Sequence, residues 1–536
     1  MNYIKSLLLS SLIAVVLFGC GGTADILSTP VENIDNTPLK VSELTEAEKK
    51  HWGHLDLVSD TIPGMSLNKA YGEIIKGRKG VTTIVAVLDS GVDISHEDLD
   101  DVIWRNKDEI PSNGKDDDNN GYIDDVNGWN FLGDTTYEQL EFVRLLASGN
   151  TGDPRYAEAQ AELDRKYNEA LGRKTQYEQI LQQVITSDEA IAKHLNKTEY
   201  TRDEVNAIKT ENQTLLQHKS VIQQTYGFGI GSITETKKAL KDGIEHFTEQ
   251  LNYHFNKDFK GRKTGDDPDD FSQKVYGDNN VHPVGSHEHG THVAGIVAAE
   301  RNNGKGINGV ANNVKIMPIR TVPNGDEYDK DVALAIRYAV DNGAKVMNLS
   351  FGKYYSPHSE WVRDAIAYAG EKDVLIVAGS GNEGFDLDKR NNFPNDAINN
   401  GPEVSNNYLA VGALEPKYGS GMVAGYSNYG KQNVDVFAPG SLIYSTVPVN
   451  DYKNLQGTSM ASPAVAGIAA LIRSQYPSLS AAQVKQIIMD SGLPVKTKVV
   501  VGGDASDIRP FDSLSSSGKM VNAYNALIMA AQLANK

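Results

Sequence analysis

The chain has 536 residues, 40% of them hydrophobic, and a formal net charge of −18 at pH 7. That length supports one large folded unit with additions, and the acidic balance lacks the basic footprint of a nucleic-acid binder, so no such partner is expected. Cys20 is the single cysteine, which excludes a disulfide within the chain.

Lys5 gives a positive start and Leu7 to Phe18 an apolar run too short to span a bilayer. Residues 1–19 therefore read as a signal segment. The run stops at Leu17-Phe18-Gly19-Cys20, which resembles a bacterial lipoprotein box. That resemblance implies a lipid on Cys20 and a membrane partner reached through it. It places the mature chain at the bacterial cell envelope, on the periplasmic face or the outer membrane surface. Residues 20–51 are polar and aperiodic, and predict a flexible tether or short pro-segment, with folded structure from Trp52 onward.

Met65 to Ile75 predicts a short amphipathic helix. Val81 to Leu88 is continuous and β-branched, which predicts a buried strand. It delivers Asp89, followed by Ser90-Gly91. An Asp at the carboxyl end of a buried strand is either a functional group or a turn residue before glycine. Next, Asp116, Asp118 and Asn120 alternate ahead of Gly121, with Tyr122, Asp124 and Asp125 behind. This is the first half of an EF-hand-type loop without its closing Glu, since Asn127 stands at position 12. Five aspartates in ten residues repel unless a cation neutralises them, so a structural Ca2+ is expected on Asp116, Asp118, Asn120, the Tyr122 carbonyl, Asp124 and Asp125.

Residues 137–262 change character. They are rich in Glu, Lys, Gln and Leu, with a start at Asp153-Pro154 and a capping box at Thr201-x-x-Glu204. An apolar stripe runs through Leu240, Ile244, Phe247, Leu251 and Phe255. Three or four helices in a hairpin or small bundle are predicted, their stripes packing on one another. His287, His289 and His292 follow closely, but HExxH is absent and zinc is not expected. From about residue 305, short apolar strands alternate with helices, which means a parallel sheet. Strands are predicted at 314–319, 346–349, 374–378, 408–413 and 434–438, and Lys496 to Lys519 as a polar loop.

Gly457-Thr458-Ser459-Met460-Ala461-Ser462-Pro463 opens an apolar helix, Ala464 to Ile472. Ser459 reads as an N-cap or as a nucleophile in the positive end of the helix. A nucleophile needs a base, an orienting acid and an oxyanion donor. Asp89-Ser90-Gly91, His289-Gly290-Thr291-His292, Gly381-Asn382-Glu383-Gly384 and the Ser459 stretch stand in the order that resembles the four signature blocks of the subtilisin-like serine proteases. The resemblance covers roughly residues 52–135 and 275–536.

That resemblance implies an α/β, three-layer fold with a mainly parallel sheet and an inserted all-helical subdomain. The catalytic part would comprise residues 52–136 and 263–536. It implies a serine endopeptidase acting on polypeptides, with Ser459 as nucleophile, His289 as base, Asp89 orienting the imidazole and Asn382 donating to the oxyanion. Ser350-Phe351-Gly352 resembles the family's substrate edge, with Gly379 and Gly381 beside it. No organic cofactor is expected. Two other readings remain open: a scaffold whose cleft the insertion blocks, and a maturation protease dedicated to one partner.

Overall fold

A computed structural model describes residues 28–535 apart from residues 33, 35, 36, 228–230 and 286. The signal segment and Cys20 lie outside the described residues. Thirteen strands are described: β1 (Thr83–Asp89), β2 (Trp129–Asn130), β3 (Val314–Arg320), β4 (Val346–Leu349), β5 (Leu375–Gly379), β6 (Tyr408–Leu414), β7 (Val436–Pro439), β8 (Ile443–Val447), β9 (Asp451–Leu455), β10 (Leu493–Pro494), β11 (Lys498–Val501), β12 (Asp504–Pro510) and β13 (Lys519–Met520).

Nine of them form one sheet in the order β10-β13-β7-β6-β5-β4-β1-β3-β2. All of its pairs are parallel except β10–β13. Alternation along β1 shows why the fold has three layers. Val85 and Val87 join the core beneath the helices His289–Ala298 and Thr458–Gln475. Ala86 and Leu88 point the other way, into the core beneath Asp329–Asp341 and Ser359–Glu371. A strand buried on both faces reads as an unbroken apolar run. Every predicted strand between 314 and 438 is found within two residues of its expected bounds.

The helical insertion holds a 40-residue helix, Tyr156–Leu195, and the helices Arg202–Ala207, Gln213–Gly227 and Ile233–Glu249. Asp153 accepts from the Arg155 N–H, and the long helix starts two residues beyond the predicted Pro154 start. The insertion has a distal core of its own, with Val184, Ile191, Val205 and Ile222. Its proximal core, with Phe142, Leu163 and Phe255, also takes in Tyr355 of the catalytic part.

Two expectations are corrected. The described residues from 28 to 51 are not a free tether. Val31 and Ile34 are buried in the main core, and Val31 exchanges backbone hydrogen bonds with the Asn525 side chain at 2.7 and 2.9 Å. Thr45 and Glu48 form a capping box for a helix, Glu46–His51. A few apolar anchors in a polar run are invisible to composition. Nor is 496–519 a plain loop: β11 and β12 form an antiparallel hairpin turning at Gly502-Gly503, with Val499 and Val501 buried. Two glycines with positive φ make a tight hairpin turn that a polar reading mistakes for a loop.

Candidate active site

Strand β1 ends on Asp89 at the carboxyl edge of the sheet. Its Oδ1 accepts the Ser90 N–H at 2.7 Å and faces His289 Nδ1 at 2.8 Å, across 200 residues of sequence. The approach requires glycine at 290, because a Cβ there would stand 2.2 Å from the Gly91 carbonyl oxygen. Burial opposes a positive charge on His289, but the Asp89 carboxylate, by charge and hydrogen bond, outweighs it. The imidazole is held above its ordinary value of 6.5. His292, one turn on, is different. Its Nε2 donates to the carbonyls of Ile443 and Lys453 at 3.0 Å, and burial pushes it down to about 3. It ties the helix to the β8–β9 hairpin.

Ser459 is the second residue of its helix, and Gly457, with φ 147°, takes the cap position. Ser459 caps nothing. Its Oγ donates to the Ser350 carbonyl at 3.0 Å, and among the described residues no hydrogen bond joins it to His289. Pro463 has no N–H, so the Ser459 carbonyl lacks its partner one turn on. Ser350 Oγ donates to that carbonyl at 2.8 Å. The same hydroxyl meets Ser462 Oγ at 2.9 Å. The end of β4 and the start of the nucleophile helix are thus fastened by one side chain.

Asn382 leaves β5 on the loop facing Ser459. Its Oδ1 accepts from the Thr458 N–H at 2.8 Å and from Thr458 Oγ1 at 3.1 Å, while Nδ2 donates to no group among the described residues. Gly381 donates to Thr458 Oγ1 at 3.0 Å, and Gly379 is close enough to Thr458 that a Cβ would stand at 3.1 Å. The buried Asn428 holds this loop: it accepts from Glu383 N and Phe385 N and donates to the Ser380 carbonyl. Nothing in its sequence setting, Ser427-Asn428-Tyr429, marks it. Ser350 is buried, while Phe351 and Gly352 form no backbone hydrogen bonds among the described residues. They offer an open edge beside the hydroxyl of Ser459.

The acidic loop is only partly as expected. Carboxylate oxygens of Asp118 and Asp125 lie within 4.8 Å of each other and of Glu109, which the loop pattern does not include. Glu109 Oε2 is buried without a partner. Burial, opposed by hydrogen bonds from Tyr338, Asn106 and Asn120, pushes Asp125 up to about 6. Asn120 donates to Asp118 and Asp125 at 3.1 and 3.0 Å. Asp116 instead receives the Asn120 and Gly121 N–H groups, and Asp124 those of Asn113 and Gly114. The Tyr122 ring packs edge-on against Trp129 and Tyr338. An orphaned carboxylate oxygen among three converging acids suits a hard cation.

Comparison with known proteins agrees with this architecture. The model of the subtilase family, peptidase S8, matches residues 80–509. Thermophilic serine proteinase of Bacillus sp. (strain AK1) is 44% identical over 199 residues, 37% of this chain and 45% of that protein. Thermitase of Thermoactinomyces vulgaris is 40% identical over 217 residues, 39% of this chain and 72% of its own length. Subtilisin DY of Bacillus licheniformis is 39% identical over 198 residues, 37% of this chain and 67% of its own. With a family match across most of its length, the chain belongs to the subtilase family.

Proposed function

We propose that this chain is a serine endopeptidase that hydrolyses polypeptides through an acyl-enzyme on Ser459. The observation that carries it is the pairing of Asp89 with His289 at 2.8 Å, beside a serine hydroxyl and an asparagine whose carbonyl end is pinned. A peptide laid along Ser350–Gly352 brings an N–H to the Ser350 carbonyl, the group Ser459 now holds. The displaced hydroxyl turns to His289 Nε2, which takes its proton as Oγ attacks the carbonyl carbon. Asp89 keeps the proton on Nδ1 and stabilises the imidazolium. Asn382 Nδ2 and the Ser459 N–H receive the oxyanion. Collapse of the adduct expels the amine, which takes the proton from His289, and water repeats the sequence on the ester.

Substitution of Ser459 by Ala lowers turnover on the order of 10⁶-fold while the circular dichroism spectrum is retained. A fluorophosphonate probe labels the native enzyme and not the variant. Casein hydrolysis by the variant at the native rate would refute the proposal. The intact pairing and the open edge favour this reading over a blocked scaffold.

Two features of the molecule's setting belong to the same proposal. Cys20 carries a lipid that holds the enzyme on the bacterial envelope, supported by the box that ends the apolar run. Metabolic incorporation of an alkyne fatty acid labels the chain, and Cys20→Ser loses the label; equal labelling of both excludes the anchor. Glu109, Asp118 and Asp125 hold a structural Ca2+, which neutralises the acids and steadies the loop.

A further inference from the structure

We infer that the helical insertion closes the acyl end of the cleft after three residues, with Lys353 and Glu141 as the stopper. This rests on the peptidase reading above. The side chain of the acyl residue belongs in the slot between Ser350–Gly352 and Gly379–Asn382, because Asn382 must also reach that residue's carbonyl oxygen. The residues before it then run along the free edge, away from Ser459. That edge is short. At Lys353 the backbone N–H and carbonyl are both taken by Phe393, at 2.9 and 2.8 Å.

A pocket for a further side chain has its walls in place just there. Val332, Val362, Phe393 and Pro394 line it. Lys353 lines it too, and the space they leave is only about 10 Å³, room for at most one water molecule. Lys353 is 3% exposed, and its Nζ is held by Glu141 Oε2 at 2.7 Å, the Glu327 carbonyl at 2.7 Å and Asp329 Oδ1 at 3.0 Å. Glu141 comes from the first helix of the insertion, Glu141–Ala147, and is also paired with Arg144. Arg144 in turn donates to the carbonyls of Gln139, Asp326 and Glu327. The backbone of Asn324 is likewise taken, by Thr136 just before the insertion and by Glu138 within it. A buried lysine held by three acceptors does not swing aside for a ligand, since freeing it gives up all three bonds at once, two of them to buried carboxylates.

The test is a ladder of acetylated peptides with two, three, four or five residues before a fluorogenic amide. The third residue adds two backbone hydrogen bonds at Gly352, so kcat/KM rises roughly tenfold. The fourth and fifth change it less than about twofold, whatever their side chains. In the Lys353→Ala/Glu141→Ala double variant the pocket widens, and an apolar fourth residue raises kcat/KM roughly tenfold. A tenfold gain at the fourth residue in the native enzyme overturns the inference, and so does a double variant that still ignores it. Should the double variant fail to fold, the native enzyme crystallised with a pentapeptide boronic acid decides. Its fourth side chain lies in solvent, and finding it seated against Val332 and Pro394 overturns the inference. Failure to cleave any rung, together with no fluorophosphonate labelling, sinks the peptidase reading itself. Cleavage that improves with every rung sinks only the stopper.

Discussion

His289 and His292 stand one helical turn apart and bind protons with opposite strength, and the difference comes from what each ring touches. In the proposed mechanism only neutral His289 can accept the Ser459 proton. Its raised affinity means that activity is present above its folded value and is lost as pH falls through it. The acid limb of kcat/KM therefore has its midpoint above 6.5, the ordinary value. Asp89→Asn removes the cause of the rise, moves the midpoint down and lowers turnover on the order of 10⁴-fold. A midpoint at or below 6.5 in the native enzyme would contradict the pairing as the controlling interaction. The four groups of the candidate site stood out in the sequence because each is flanked by small residues that crowding demands, such as Gly290 and Gly457. Asn428 and Glu109 were not legible. Asn428 works through hydrogen bonds to a loop more than forty residues away, and Glu109 lies outside the spaced acidic pattern it completes.

At the scale of elements, buried strands declared themselves and exposed ones did not. The strands β1 and β3 to β7 carry the apolar runs that two covered faces require. The β8–β9 hairpin turns at Val449-Asn450 with positive φ at both residues, and β9 is largely exposed, so no apolar run marked it. The acidic loop shows the same limit. Spacing predicted a cation-binding segment, but only folding shows that Asp116 and Asp124 hold the loop's own N–H groups. Under the calcium proposal, saturation at a hundred times Kd adds about 2.7 kcal/mol of stability. EDTA lowers Tm and calcium restores it, as scanning calorimetry would record. Glu109→Gln removes most of that increment, because the orphaned oxygen it supplies is replaced by an uncharged amide. An EDTA-insensitive Tm would leave Glu109 buried without a purpose.

Across the whole molecule, the insertion and the N-terminal segment are built into the catalytic body. Tyr355 lies in the insertion's core, Asn525 of the last helix clasps Val31, and Trp52 donates to the Ser441 carbonyl at 2.9 Å. Unfolding by acid therefore reports on one assembly, and His292 sits at its middle, fully buried between the sheet-covering helix and the β8–β9 hairpin. Its depressed affinity, caused chiefly by burial, makes the unfolded chain the better proton binder. Stability is complete above 6.5 and is lost as pH falls toward about 3. At about 1.4 kcal/mol per pH unit, this one ring costs about 2 kcal/mol by pH 5. Urea midpoints measured between pH 7.5 and 5 show the loss beginning near 6.5, below the pH at which activity first falls. His292→Gln keeps an amide donor for the two carbonyls but cannot be protonated, so its midpoint declines more gently over the same range. His54, likewise pushed down to about 3 by burial and by Arg301, adds to the slope that remains, as do His51, His254 and His287, which burial also holds below 6.5. A variant as acid-sensitive as the native protein would place the proton-linked opening elsewhere and separate the hairpin from the folding unit.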